Sequence, residues 1–218
     1  MATRTTLMLV GRYRSPYVRR VAVAMHALGL PFERTVLSPI TDPDAVRAFN
    51  PIGRVPVLIL EDGERLIDSA AILDHVQEAA PSGTRLLAPS GVERRRALRI
   101  TAAMTNALEK AIQAFYEVSK RPAELVHEPY RAQLREQCRA GLDMVEAEAR
   151  HMAGPWLVGD GCTLADITAA VGWSFLRDFA PDLAPTDRHP ALAAHAMRCE
   201  TLPCFLACPQ EPLAATAP

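Results

Sequence analysis

A serine followed by a proline, Ser15-Pro16, stands where the apolar run Leu7 to Val10 gives way to a helical pattern. Serine is a good cap there, and proline tolerates the first helical position because the N–H it lacks would have had no partner. The same place suits a second task. A hydroxyl can donate to a bound thiolate while the helix N-terminus adds partial positive charge. Lowering a thiol pKa from about 8.5 by roughly two pH units requires about 2.7 kcal/mol of preference for the thiolate. A helix end supplies ~0.3–1 kcal/mol and a hydrogen bond to a charged group about 1.5–3 kcal/mol. Together they nearly suffice, so Ser15 is read either as a plain cap or as a thiolate donor working with the helix end. Val55-Pro56 opens an apolar strand pattern, and Asp68-Ser69 precedes the helical run Ala70-Ala71-Ile72-Leu73. Taken alone, the first is an edge-strand proline and the second an ordinary N-cap.

The elements that must position these residues follow from periodicity. Thr6–Val10, Phe32–Val36, Val55–Leu60 and Arg65–Ile67 read as strands, and Val18–Leu28, Asp42–Phe49 and Ala70–Ala80 as helices or a turn, in the order β-α-β-α-β-β-α. Gly29 with Pro31 beyond it stops the first helix, and Glu61-Asp62-Gly63-Glu64 makes a hairpin turn. From Pro81-Ser82-Gly83 a linker runs to Gly91, and a domain boundary falls there. Beyond it the sequence predicts helices over Val92–Lys120, Pro129–Met152, Leu164–Phe179 and Ala191–Arg198, with a short turn near Phe205. In the first of them Leu98, Thr101, Met104, Leu108, Ile112 and Phe115 mark one face to bury.

Composition narrows the function classes. The chain has 218 residues, is 49% hydrophobic and carries a net charge of -1, so no bulk field draws it to nucleic acid or a membrane surface. The apolar run near the start is too short for a signal core or a spanning helix, which makes the cytoplasm the default location. Five cysteines, Cys138, Cys162, Cys199, Cys204 and Cys208, form no C-x-x-C pair and read as reduced thiols. Cys199, Cys204 and Cys208 with His195 fit no common zinc spacing, and the other histidines lie scattered; no metal is expected. Arg94-Arg95-Arg96 with Arg99 opens a helix against its dipole and reads as a solvated or subunit-facing patch.

Tyr13-Arg14-Ser15-Pro16-Tyr17-Val18-Arg19-Arg20-Val21, Asn50-Pro51-Ile52-Gly53-Arg54-Val55-Pro56 and Asp68-Ser69, in that order, resemble the glutathione transferase family, its bacterial serine-type members in particular. The resemblance implies an α/β thioredoxin-like N-terminal domain over residues 1–82, then an all-α helical bundle domain over 90–210. It implies glutathione as co-substrate, with Ser15 as the catalytic hydroxyl that holds its sulfur. By matching position Val55 pairs through its backbone with the cysteinyl part, and Pro56 stands where the family has a structural cis-proline. Asp68 and Ser69 hold the γ-glutamyl end, and Arg54 lies near the glycyl carboxylate, where many members carry lysine. The carboxylate suits Ser69 and the helix amides, and the ammonium suits Asp68. Tyr13 is a rival hydroxyl, because other classes use a tyrosine near the end of the first strand.

The same resemblance places a hydrophobic electrophilic small molecule in a second-substrate pocket, for which Tyr13, Phe115, Tyr116, Trp173 and Phe175 are candidates. It implies a homodimer in which the region of Asp68 faces the partner. Thr163-Leu164-Ala165-Asp166 resembles the family's capping box at the start of a core helix, so Thr163 and Asp166 are expected to be structural. The expected activity is transfer of glutathione to the electrophile. Glutathione-dependent dehalogenation, ether cleavage and isomerisation use the same thiolate and stay open. A non-catalytic interaction module of the stringent-starvation type, which keeps this fold, is the alternative from a different class.

Overall fold

The structure, a computed structural model, describes residues 6–212. The chain divides into two compact units: residues 6–86 with 202–212, and Leu87–Thr201.

In the first unit the order is β1 (Leu7–Val10), α1 (Pro16–Ala27), β2 (Phe32–Thr35), α2 (Pro43–Phe49), β3 (Val57–Ile59), β4 (Arg65–Ile67) and α3 (Ser69–Glu78). The sheet runs β2-β1-β3-β4, with β1 parallel to β2 and antiparallel to β3, and β3 antiparallel to β4. A parallel pair needs a crossover, and α1 supplies it. The β3–β4 connection turns at Gly63, whose φ of 92 only glycine adopts freely, and is closed by Gly63 N donating to Leu60 O at 3.0 Å. Leu9, Val10, Val57 and Leu58 are fully buried, as are Val18, Val21 and Ile72 on the helices, so helix stripes and sheet supply one core. The third strand is shorter than its apolar run predicts. Its ladder with β1 begins at Val57, opposite Val10, and leaves Val55 and Pro56 outside it. Pro56 has no N–H to give to a ladder.

The second unit is helical: α4 (Gly91–Ser119), a 3-10 turn (Ala123–Leu125), α5 (Glu128–Arg150), α6 (Leu164–Phe179) and α7 (Pro190–Cys199). Every residue from Leu164 to Trp173 is buried, so α6 is the central helix that the others surround. Two glycines allow close approach. A Cβ on Gly141 of α5 would lie 2.9 Å from Ala107 Cβ and 3.0 Å from Ala103 O of α4, and one on Gly172 of α6 would lie 2.5 Å from Met104 Sδ.

The end of the chain differs from expectation. The sequence pattern assigned residues up to 210 to the helical half, whereas α8 (Pro203–Leu206) and the residues after it group with the first unit. The reason is visible at Arg19 of α1, which is 1% exposed and needs an acceptor. Its Nε donates to Cys208 O at 2.7 Å, and its guanidinium lies 5.8 Å from the centroid of the fully buried Phe205 ring. Among the described residues no helix is long and apolar enough to cross a membrane.

Candidate functional site

Ser15 caps α1: its Oγ accepts from Val18 N at 3.4 Å, and its backbone O accepts from Arg19 N at 2.9 Å. The turn before it closes through Ser15 N donating to Arg12 O at 3.0 Å. Ser15 is half-buried, so its hydroxyl stands at a helix end and remains within reach of solvent. Gly11, with φ 136, is what lets this turn approach its neighbours, since a Cβ there would lie 2.5 Å from Val18 Cγ2 and 3.2 Å from Val55 Cβ. Val55 is thereby placed beside the turn that carries Ser15. Its bond to Pro56 is cis. Asn50 links the preceding loop by donating its side-chain amide to Arg54 O at 2.9 Å and accepting from Ile52 N at 3.0 Å. The Arg54 residue itself is exposed.

Asp68 and Ser69 open α3. Asp68 has φ 67, unusual for a residue other than glycine, and its Oδ1 accepts from Ala70 N at 2.8 Å. Such an outlier at a helix start is held by its surroundings and is a mark of sites that bind. Ser69 is 3% exposed, and its Oγ accepts from both Nε and Nη2 of Arg20, at 3.2 and 2.9 Å. A serine oxygen has two lone pairs and one proton. With both lone pairs taken by Arg20, the proton is left to donate, which makes Ser69 a partner for an acceptor such as a carboxylate. Arg20 is itself 3% exposed, and its Nη1 has no hydrogen-bond partner among the described residues. Burial lowers its pKa to about 10, with Tyr17 and Asp68 acting in the other direction, so it stays charged at neutral pH. Arg20 thus joins the helix that begins at Ser15 to the helix that begins at Ser69. The sequence carried a signal for it, two adjacent arginines in an otherwise apolar helix, but no role could be read from that alone.

Tyr13 is 8% exposed. Its ring lies 3.8 Å from the Arg34 guanidinium carbon, and its hydroxyl shares a hydrogen bond with the Cys208 thiol. Burial pushes the phenol well above its ordinary value and the Cys208 thiol up to about 11. As a rival to Ser15 it is poorly placed, because its hydroxyl is already engaged inside the unit.

Within the second unit Phe115, Tyr116, Phe175 and Phe179 form a cluster. Phe115 meets Phe179 edge-on at 5.0 Å, and Phe175 stacks on Phe179 at 4.8 Å. Phe115 remains 42% exposed, while Phe175 is 5% exposed. Trp173 belongs elsewhere: it is 3% exposed and packs edge-on against His189 at 5.8 Å, a core position unsuited to lining an open pocket. Asp166 is fully buried and accepts from Leu157 N at 2.8 Å and from Thr163 N at 2.8 Å. Thr163 Oγ1 also donates to it at 2.6 Å, and His195 Nε2 stands 3.3 Å away. That set closes the capping box and joins α7 to the start of α6, a structural use of the carboxylate. Cys199 Sγ lies 3.5 Å from His195 Nε2, but among the described residues no group of three or more His, Cys, Asp or Glu side chains is placed to hold a metal ion.

Comparison with known proteins gives the family to which this fold belongs. Residues 9–85 match the family model "Glutathione S-transferase, N-terminal domain", and residues 106–203 match "Glutathione S-transferase, C-terminal domain". The GST-like protein YibF of Escherichia coli K12 is 31% identical over 79% of this chain and 84% of its own length. A glutathione S-transferase from Methylobacterium radiotolerans, solved in complex with glutathione sulfonate, superposes with a TM-score of 0.86 at 30% identity and covers 98% of each chain. A glutathione transferase family member from Pseudomonas fluorescens Pf-5 with bound glutathione gives 0.79 at 28% identity, over 96% of this chain and all of that one. A thioredoxin-like sheet with serines opening α1 and α3, followed by a helical unit, makes this chain a member of the glutathione S-transferase family.

Proposed function

We propose that the protein binds glutathione on its first unit, holds it as the thiolate and transfers it to an electrophilic small molecule. The observation that carries this reading is the Arg20 bridge, which sets the helix end at Ser15 and the helix end at Ser69 as two anion-favouring points on one rigid frame. In this reading the γ-glutamyl carboxylate accepts from the Ser69 hydroxyl and the first amides of α3, with the Arg20 charge behind them. Asp68 receives the ammonium. The backbone of Val55 pairs with the cysteinyl residue, and Arg54 meets the glycyl carboxylate. The sulfur then lies at the N-terminus of α1, where the Ser15 hydroxyl donates to it.

Chemically, the bound thiol releases its proton to water, and the sulfur lone pair attacks the electrophilic carbon. Either a leaving group departs with its electron pair, or an activated double bond takes up a proton at its other carbon. Pairing of two copies belongs to the same reading, and Ile52 and Ile67, 68% and 38% exposed, are apolar side chains it could cover.

The test is the ultraviolet absorbance of the thiolate followed against pH with glutathione bound. Ser15→Ala is expected to keep the fold and most of the affinity, and to raise the bound thiol's pKa by about one to two pH units, the worth of one hydrogen bond to an anion. An unchanged titration would remove Ser15 from the mechanism.

A further inference from the structure

The end of the chain is bound to both sides of Ser15. Before it in sequence, Arg12 Nε donates to Glu211 Oε2 at 3.0 Å, and Tyr13 shares its hydroxyl with Cys208 beneath the Arg34 guanidinium. Arg34 Nη1 donates to the other oxygen of the same carboxylate, Glu211 Oε1, at 2.8 Å. After it, Arg19 donates to Cys208 O at 2.7 Å and to Gln210 Oε1 at 3.5 Å. Ser15 itself is tied to these residues by backbone bonds: its N–H donates to Arg12 O, and its carbonyl accepts from Arg19 N. The two residues that hydrogen-bond the Ser15 backbone are therefore both held by residues 208–211.

We propose that the segment 204–211 is a strap that fixes the Ser15 turn, and that Glu211 and Arg12 are positioning residues for the hydroxyl that holds the thiolate. The inference builds on the assignment of the thiolate to Ser15. The strap lies beyond the two stretches matched to the family models, residues 9–85 and 106–203. Its components fit the task. Glu211 divides its two oxygens between two arginines from different elements, and its side chain is only 20% exposed, so the pairs are less screened than surface ones. The carboxyl is held below its ordinary value by those arginines although burial acts against them, so it stays ionised at neutral pH. Asp42, whose carboxyl also feels the Arg12 charge, is half-buried and is occupied by Thr41 and Ser38.

Position and charge make opposite predictions for Glu211, which lets one variant separate them. Removing a negative charge near the sulfur favours the thiolate through space and would lower the bound thiol's pKa. Loosening the strap lets the Ser15 hydroxyl drift from the sulfur and raises it. For Glu211→Gln the strap predicts glutathione affinity close to that of the parent, a higher thiol pKa in the ultraviolet titration, and kcat/KM at neutral pH reduced about ten-fold. That loss should shrink as the pH rises and the thiolate forms without help, and Glu211→Asp should recover part of it. Arg12→Gln, and the double variant, provide a second route should Glu211→Gln fold poorly. The two changes should be non-additive in the thiol pKa, because either one releases the same turn. A Glu211→Gln titration that is unchanged or shifted downward, measured beside a Ser15→Ala that does shift, overturns the strap and leaves Ser15 in place. A Ser15→Ala titration without a shift overturns the thiolate assignment and the strap with it.

Discussion

At the scale of single residues the site depends on what each hydroxyl is free to do. Ser69 and Tyr13 are both buried hydroxyls, yet they are opposites. Ser69 receives two N–H donors from Arg20 and has its proton to give, whereas the Tyr13 hydroxyl is engaged with Cys208. Replacing Arg20 by Met should therefore weaken glutathione binding about ten- to hundred-fold by calorimetry, the worth of one charge-assisted hydrogen bond. Arg20→Lys should rescue little, since a single ammonium cannot reproduce the paired donors; wild-type affinity in either variant would contradict the role. Ser15, Asp68 and Ser69 were legible as helix starts because caps are local signals, readable from a few neighbours. Arg20 was not, because its meaning arises only when α1 packs on α3. Trp173, only a candidate for the pocket in the sequence, could not be placed there for the converse reason: an aromatic on a helix does not announce which face is covered, and this one packs on His189.

At the scale of elements, the helical unit is organised around the start of α6. Thr163 and Asp166 were readable from their spacing, but the approach of His195 from α7 was not, since it is a contact between elements far apart in sequence. His195 is fully buried. Burial, and then the Arg198 charge beside it, lower its pKa to about 4 from an ordinary value of 6.5. A neutral imidazole is thus favoured in the folded state, while the unfolded chain takes up a proton below pH 6.5. The stabilisation is fully present above about 6.5 and is lost as the pH falls from there to about 4. His26, exposed but also lowered by partial desolvation, adds weakly in the same sense, whereas the Asp166 carboxyl, pushed up by burial, acts oppositely. Urea unfolding across this range should show the loss, and His195→Gln should flatten the slope relative to the parent. A parallel slope in the variant would assign the acid sensitivity elsewhere. Packing gives a second expectation. Gly141→Ala sets a methyl against the Ala103 carbonyl and Ala107, and should cost about 1–3 kcal/mol in the same unfolding experiment.

At the scale of the whole molecule, the succession of a β-α-β-α-β-β-α pattern, a Pro- and Gly-containing linker and a run of helices was enough to read two units. What it could not show is that the chain returns after Thr201 to the unit where it began. Alternation and helix periodicity report which face is buried, not what buries it, and Pro203–Leu206 is a single turn with little pattern of its own. Phe205, fully buried and packed beneath Arg19, carries that return, so Phe205→Ala should lower stability by about 3–5 kcal/mol by denaturant unfolding. A loss below about 1 kcal/mol would mean that the tail adds little to the first unit. Every role proposed for these residues requires glutathione at the helix ends of Ser15 and Ser69. The most direct test is calorimetric titration of the purified protein with glutathione, repeated with Ser69→Ala. Saturable binding by the parent, weakened at least about ten-fold in the variant, is the result expected. Equal binding by both proteins would contradict the γ-glutamyl assignment, and no binding by either would contradict the proposed activity itself.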